Sequence, residues 1–279
     1  MTIALFPHTT HQETDKLCKE IISFFQKHHV PVVVEDELAA RFNLPPLSSA
    51  NVSEIKFLIS MGGDGTILNL AHKYRHLDAA ILGINLGHLG FMADIPISDL
   101  IPSLKDLLEG SYTIENRIVL EGTSPQMQTS YAINDFVIHR AQNPSLIQFS
   151  IYLDDLYLNT FEADGIILAT PNGSTAYSLA AGGPILSPGL DGIVMTPICP
   201  HTISNRPIVL TTSHEIKVQY LSHYHPIEVI ADGIDKFSLN HGESFRFKKS
   251  QKIFRLVNLN RRDYFTTLRT KLGWAGKLR

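Results

Sequence analysis

A short apolar run, Phe57-Leu58-Ile59-Ser60-Met61, leads directly into Gly62-Gly63-Asp64-Gly65-Thr66, and a helical pattern starts at Ile67-Leu68. A buried strand that passes through a glycine turn into a helix constrains the chain to layered α/β packing. In open α/β sheets ligands bind outside the carboxyl ends of the strands. Glycine lets backbone approach a ligand with no Cβ in the way, and amides at a helix start can face an anion. Three glycines around one aspartate therefore suggest a phosphate cradle with a catalytic or orienting carboxylate. The plain alternative is a strand-to-helix turn with Asp64 as N-cap. The rest of the sequence decides between the two.

The flanks extend the pattern. Ile3-Ala4-Leu5-Phe6 reads as a strand, and Leu17, Ile21, Phe24, Phe25 and His28 fall on one helical face. Val30-Pro31-Val32-Val33-Val34 is a second strand, Arg41 to Asn51 a Pro/Ser-rich loop, and the helix after the glycine turn spans about Thr66 to His76. Ala80-Ile81-Leu82-Gly83-Ile84 is another strand. Ser98 can cap a helix bearing Leu100, Leu104, Leu107 and Leu108, which Gly110 can end. Such alternation predicts a Rossmann-like doubly wound α/β domain over residues 1–112.

After Tyr112 strands dominate. The segments are Arg117–Leu120, Tyr131–Ile138, Ile147–Leu153 with an Asp154-Asp155 turn, Gly165–Ala169, Ile208–Leu210, Ile216–Leu221, Ile227–Ala231, Phe245–Phe247 and Ile253–Leu259. Asp232-Gly233 is a hairpin signal. Residues 113–260 are expected to form an all-β domain of the sandwich type. A final helix from Asp263 to Leu272, within residues 261–279, is expected to pack back on the first domain.

Composition narrows the function classes. A chain of 279 residues with 44% hydrophobic and 18% charged residues is globular rather than disordered. The net charge of −3 gives no bulk electrostatic case for nucleic acid or acidic membranes. Cys18 and Cys199 make no disulfide framework. The N-terminal residues lack the basic and apolar regions of a signal peptide, and no apolar run approaches the ~20 residues of a membrane span. A cytoplasmic location is expected.

Further segments are polar where a simple core needs no polarity. Gly83-Ile84-Asn85-Leu86-Gly87-His88-Leu89-Gly90-Phe91 follows a strand, and its glycine spacing is not that of the G-x-G-x-x-G fingerprint. It reads equally as a crossover or as a ligand contact, with His88 a surface group. Asn134-Asp135 interrupts an apolar strand, where both residues are disfavoured; it is either a bulge or strand end, or a pair that bonds a nucleotide. Asp164-Gly165 precedes a buried strand, and Thr170-Pro171-Asn172-Gly173-Ser174-Thr175-Ala176-Tyr177-Ser178-Leu179-Ala180 follows it. That run suits a flat, polar ligand, with Tyr177 offering ring and hydroxyl. His8, His11, His28 and His29 have no partners at metal-ligand spacing. The P-loop, H-E-x-x-H and G-x-S-x-G motifs are absent.

These segments together resemble the NAD kinase family. The likeness rests on the glycine-aspartate turn, Gly83–Phe91, Asn134-Asp135, Gly173 to Ser178, Pro200-His201-Thr202 with Arg206-Pro207, and the tail Lys271-Leu272-Gly273-Trp274. The turn alone is shared with diacylglycerol, sphingosine and phosphofructokinase-like kinases; Asn172 to Tyr177 is far more specific.

The resemblance implies transfer of the γ-phosphate of ATP to the adenosine 2′-hydroxyl of NAD, giving NADP. It also implies a site in the cleft between the domains and a homodimer or homotetramer. By carry-over, Asp64 faces the 2′-hydroxyl as the catalytic residue, while Gly62, Gly63, Gly65 and Thr66 meet the nucleotide. Asn134 and Asp135 contact the nucleotide too. Asp164 and Thr175, Ala176, Tyr177, Ser178, Leu179 and Ala180 line the nicotinamide and adenine pockets. No protein ligand to a metal is assigned, and Mg²⁺ is expected on the donor phosphates. Asp135 stands where many members carry Glu, Ser145 and Glu162 where some relatives place basic residues, and Ile234 where many have Gln. Two rival readings are a lipid kinase sharing the turn and a non-catalytic NAD sensor. A dehydrogenase is a weaker third, because the G-x-G-x-x-G fingerprint is missing.

Overall fold

Alternating strands and amphipathic helices in the first 110 residues build a parallel sheet. Thr2–Phe6 lies between Val32–Val34 and Ile55–Gly62, and Ala80–Asn85 pairs with the far side of Ile55–Gly62. The chain leaves its first strand to one side and later returns to the other, which places a switch point at the carboxyl ends of those strands. Asp64 stands at that end. The computed structural model describes residues 1–8, 14–87, 89–202, 204–261 and 263–274. The readings of His11 and His88 fall outside these residues.

The helix Thr14–Lys27 buries Leu17, Cys18, Ile21, Ile22 and Phe25. That face shares one core with Ile3, Leu5, Ile59 and Met61 of the sheet and with Leu100, Leu104 and Leu107 of the helix Leu100–Glu109. The Cys18 thiol touches Met61 Sδ at 3.5 Å, and burial pushes its pKa up to about 12, which leaves it unreactive. Leu256, near the end of the strand Ser244–Leu259, pairs in parallel with Ile81. Asp263 caps the helix Tyr264–Leu272, its carboxylate accepting from Thr266 N at 2.9 Å. Met1–Glu115 and the described residues from Arg255 onward form one compact unit; Asn116–Phe254 form the other.

The second unit is antiparallel. One sheet runs in the order Ile208–Thr211, Gly192–Ile198, Gly165–Ala169, Asp135–His139, Ile227–Ala231, Asp235–Leu239. A second antiparallel set pairs Leu156–Ala163 with Ile147–Leu153, then Ile216–Tyr220, then the start of Ser244–Leu259. Their inner faces meet. Phe136 of the first sheet packs on Phe247 of the second with ring centroids 5.1 Å apart, and both are fully buried with Phe149, Phe245 and Tyr220. Burying one such ring contributes ~2–3 kcal/mol. The architecture is an α/β domain followed by a β-sandwich.

Several boundaries differ from the sequence expectation. The third helix spans Asp64–Lys73, with Gly63 as N-cap, so Asp64 sits in the first turn. The expected strand Tyr131–Ile138 is two strands, Thr129–Ala132 and Asp135–His139, broken at Ile133-Asn134. Two expected strands near the C-terminus are one, Ser244–Leu259. No helix is long and apolar enough to cross a membrane among the described residues.

Candidate active site

Asp64 leaves the sheet at the first turn of its helix, where first-turn amides lack intrahelical acceptors. A carboxylate there is favoured by the helix dipole. Its oxygens are nonetheless turned to another segment. Oδ2 accepts from Phe91 N at 2.8 Å, and Oδ1 accepts from Met92 N and Ala93 N, each at 2.9 Å. A carboxylate offers about four acceptor positions, so one on Oδ2 is left untaken by the described residues. Gly90 N bonds Ala93 O at 2.9 Å and closes this loop. Asn85 Oδ1 accepts from Gly87 N at 2.7 Å and shapes its entry. The segment from Gly83 to Phe91 therefore leads into the loop that holds the aspartate.

The glycines of the turn divide into two kinds. A Cβ on Gly62 would collide with the Thr66 side chain, so the fold itself requires glycine there. A Cβ on Gly63 or Gly65 would meet nothing within 4 Å, and neither residue has a left-handed backbone. Gly65 lies within a helix, where glycine costs about 1 kcal/mol relative to alanine. Nothing inside the described residues demands glycine at these two places. Bare backbone suits the close approach of a ligand.

In the second unit Asp232, like Asp64, offers its carboxylate to three consecutive backbone amides. Its carboxylate reaches across the sheet to the break in the chain, accepting from Ile133 N at 2.7 Å, Asn134 N at 2.8 Å and Asp135 N at 3.0 Å. Asp232 and Gly233 both have left-handed backbones, and Ile234 N bonds Ala231 O at 2.8 Å, which makes the tight hairpin turn expected from their pairing. The chain breaks at Ile133-Asn134 because those amides serve Asp232 instead of a strand ladder.

That break is locked to the Thr170–Gly173 turn. Thr170 N bonds Asn134 O at 2.8 Å, Thr170 Oγ1 bonds Ile133 O at 2.5 Å, and Asn172 Nδ2 donates to Asn134 Oδ1 at 2.6 Å. Arg117, buried, donates to Asn172 Oδ1. A Cβ on Gly173 would strike the Asn134 backbone. Asn134, Asp135 and the start of the Thr170–Ala180 run are thus one constellation. Asp135 is buried, and its burial, with the nearby Asp232 charge, pushes its pKa up to about 7. A raised carboxyl of this origin makes Asp135 a candidate site residue.

Within Thr175–Ala180 the side chains divide. Ser174 and Ser178 are fully buried; Ser178 Oγ meets Thr196 Oγ1 at 2.8 Å, and Ser174 Oγ accepts from Leu186 N at 2.9 Å. The Ser178 hydroxyl ties the turn to the strand Gly192–Ile198, and the Ser174 hydroxyl ties it to the loop at Leu186. Tyr177 and Ala180 are exposed, while Thr175, Ala176 and Leu179 are half-buried. Asp164 lies at the opposite end of the strand Gly165–Ala169 from Thr170, roughly 20 Å along it at 3.3 Å per residue. Its carboxylate pairs with Arg140 Nε at 2.8 Å. The structure does not bring Asp164 to Asn134-Asp135.

Sequence reasoning named Phe91 and Asn172 within longer motifs without their partners, and missed Met92, Ala93, the carboxylate of Asp232, Arg117 and Arg140. No letter pattern pairs Asp164 with Arg140; the antiparallel register that matches Gly165 with His139 sets them opposite each other.

Comparison with known proteins supplies the family. The model of the ATP-NAD kinase N-terminal domain matches residues 3–112, and that of the ATP-NAD kinase C-terminal domain matches residues 133–259. The NAD kinase of Protochlamydia amoebophila is 54% identical over 277 residues, covering 99% of each chain. Among solved structures, yeast NADH kinase complexed with NADH superposes with a TM-score of 0.87 at 26% identity, covering 100% of this chain and 89% of that one. An Archaeoglobus fulgidus NAD kinase in complex with ATP shares the fold, with a TM-score of 0.77 at 24% identity and coverage of 99% and 100%. With both halves matched in order and a relative identical at more than half of its positions, this chain belongs to the NAD kinase family.

Proposed function

We infer that this protein transfers the γ-phosphoryl group of ATP to the 2′-hydroxyl of the adenosine ribose of NAD, producing NADP. Family membership supports the reaction. The observation that carries the residue assignment is the Asp64 carboxylate, held by three backbone amides with one acceptor position left untaken by the described residues, beside bare-backbone glycines. Lipid phosphorylation by a shared glycine-aspartate turn has no comparable support.

Phosphoryl transfer asks a protein mainly for positioning and charge neutralisation. In this reading the open position on Asp64 Oδ2 accepts the 2′-hydroxyl, aligns its oxygen for in-line attack, and takes the proton late. Backbone amides at Gly63–Gly65 meet phosphate oxygens, as helix N-termini do, while the Thr66 amide is taken by Gly63 O at 3.0 Å. Asn134 and Asp135 hold the nucleotide, and Thr175, Ala176, Tyr177, Ser178, Leu179 and Ala180 form its binding surface, Ser178 by fixing the turn. Asp164, with Arg140, takes a further contact.

No group of three or more His, Cys, Asp or Glu side chains is placed to hold a metal ion among the described residues. We assign the divalent cation, Mg²⁺, to the phosphates of ATP, where it neutralises donor charge. We also propose a homodimer or homotetramer in the cytoplasm. Leu156 and Tyr157, 75% and 62% exposed on an outer strand, offer apolar surface for assembly.

The test is NADP formation from ATP and NAD, with diacylglycerol as rival acceptor. Asp64→Asn is expected to keep the fold and lower kcat by ~10²–10⁴, the range of acid–base residues. Phosphorylation of the lipid, or NAD binding without NADP production, would overturn the assignment.

A further inference from the structure

The loop that grips Asp64 is itself gripped. Lys271, in the last turn of the helix Tyr264–Leu272, donates from Nζ to Leu89 O at 2.7 Å. The same ammonium lies 4.8 Å from the centroid of the Phe91 ring. From the first turn of that helix, Tyr264 sets its ring 6.1 Å from Phe91. Leu89 and Phe91 flank Gly90, and Phe91 begins the run of three amides that bind the Asp64 carboxylate. All of these residues belong to one compact unit.

We propose that Lys271 is a positioning residue for the phosphoryl transfer, fixing the Leu89–Ala93 loop so that its amides aim the Asp64 carboxylate at the acceptor hydroxyl. The inference rests on the reading of Asp64 given above. A lysine can do this with two contacts at once. Its ammonium has three donors, and the attraction of a cation to a ring face adds about 0.5–1 kcal/mol at an exposed site. Neither contact is needed to bury a core, since Lys271 is exposed. Their common consequence is orientation: Leu89 O and the Phe91 ring are tied to one atom, which leaves the intervening Gly90 little freedom.

The test uses the full chain with Lys271→Met, Lys271→Arg, Asp64→Asn and the double variant Asp64→Asn/Lys271→Met. Methionine keeps the apolar stem and removes the donor and the charge. Lys271→Met is expected to lower kcat by ~10–100-fold, the scale of a slight misplacement of a reacting group, with the KM values for NAD and ATP little changed. Lys271→Arg is expected to restore most of that loss. Hydrogen exchange at the amides of Phe91–Ala93 is expected to accelerate in Lys271→Met while the strand Ile55–Gly62 stays protected.

In the Asp64→Asn background the lysine substitution is expected to cost almost nothing further, because its effect passes through the aspartate. An equal loss in both backgrounds would overturn the proposal, as would normal kcat in Lys271→Met. A raised KM for ATP at unchanged kcat would also overturn it, making Lys271 a donor contact instead. Normal turnover in Asp64→Asn alone would sink the reading of Asp64, a separate outcome.

Discussion

Asp64 Oδ1 occupies the space that a side chain on Gly90 would need. A Cβ built on Gly90 would collide with that oxygen and approach Ala93 O to 3.0 Å. Gly90→Ala must therefore displace either the carboxylate or the loop that binds it. The expected result is a folded protein whose kcat falls by at least ~10²-fold, by the sensitivity of catalysis to a 1 Å misplacement. Circular dichroism and steady-state NADP formation on the same preparation check it; normal turnover would mean that the carboxylate can be moved without consequence.

The two kinds of glycine in the turn make opposite predictions. Gly65→Ala meets no atom within 4 Å and replaces a helical glycine, so its unfolding free energy should stay level or rise by up to about 1 kcal/mol. Its kcat/KM for ATP should nevertheless drop at least ~10-fold, if backbone at this point lies against phosphate. Gly62→Ala, which collides with Thr66, should lose stability by roughly 1–3 kcal/mol, as overpacked sites do. Paired thermal melts and kinetics separate the ligand-driven glycine from the fold-driven one.

The strand–turn–helix junction was legible because an apolar run and a glycine cluster are local signals. The helix start was not, since Gly63 caps the helix without a side chain to mark it. Asn134-Asp135 stood out as polar residues in an apolar stretch, but the break beside them comes from Asp232, 98 residues away from Asn134. That carboxylate looked like a turn residue and is also a tertiary cap. The Phe91–Ala93 loop is the same kind of omission. Its chemistry lies in backbone amides, which every residue has, so no letter announces it. The joined strand Ser244–Leu259 hid behind Lys248, Lys249, Gln251 and Lys252, polar because that stretch is exposed and not because the strand stops.

Ser60 is the one buried side chain whose polar atom has no hydrogen-bond partner among the described residues; it is 1% exposed in the strand that leads to the turn. Burying an unbonded hydroxyl costs about 1–3 kcal/mol. Ser60→Ala should remove that cost and raise the urea midpoint, with turnover within about twofold of wild type because the backbone of the turn is untouched. A lower midpoint would show that the hydroxyl is solvated inside the fold.

Asp135 gives a pH dependence whose sign is fixed by its surroundings. Burial and the charge of Asp232 raise its pKa from 3.8 to about 7. Folding therefore disfavours the ionised form. The penalty is absent below the unfolded value of 3.8, grows as pH rises toward 7, and is complete above 7. Asp135→Asn removes a buried charge and should gain stability relative to wild type with rising pH, reaching roughly 2–4 kcal/mol at pH 8. Urea unfolding of both proteins at pH 5, 6, 7 and 8 measures the difference. Asp232→Asn should move the midpoint of this effect to lower pH, since it removes the like charge, while lowering stability at every pH, because its amide nitrogen cannot accept from the backbone N–H that Oδ2 or Oδ1 now serves. A stability difference that does not vary with pH would mean that Asp135 is ionised at no cost, and the carboxyl would then have a compensating partner that neither burial nor Asp232 accounts for.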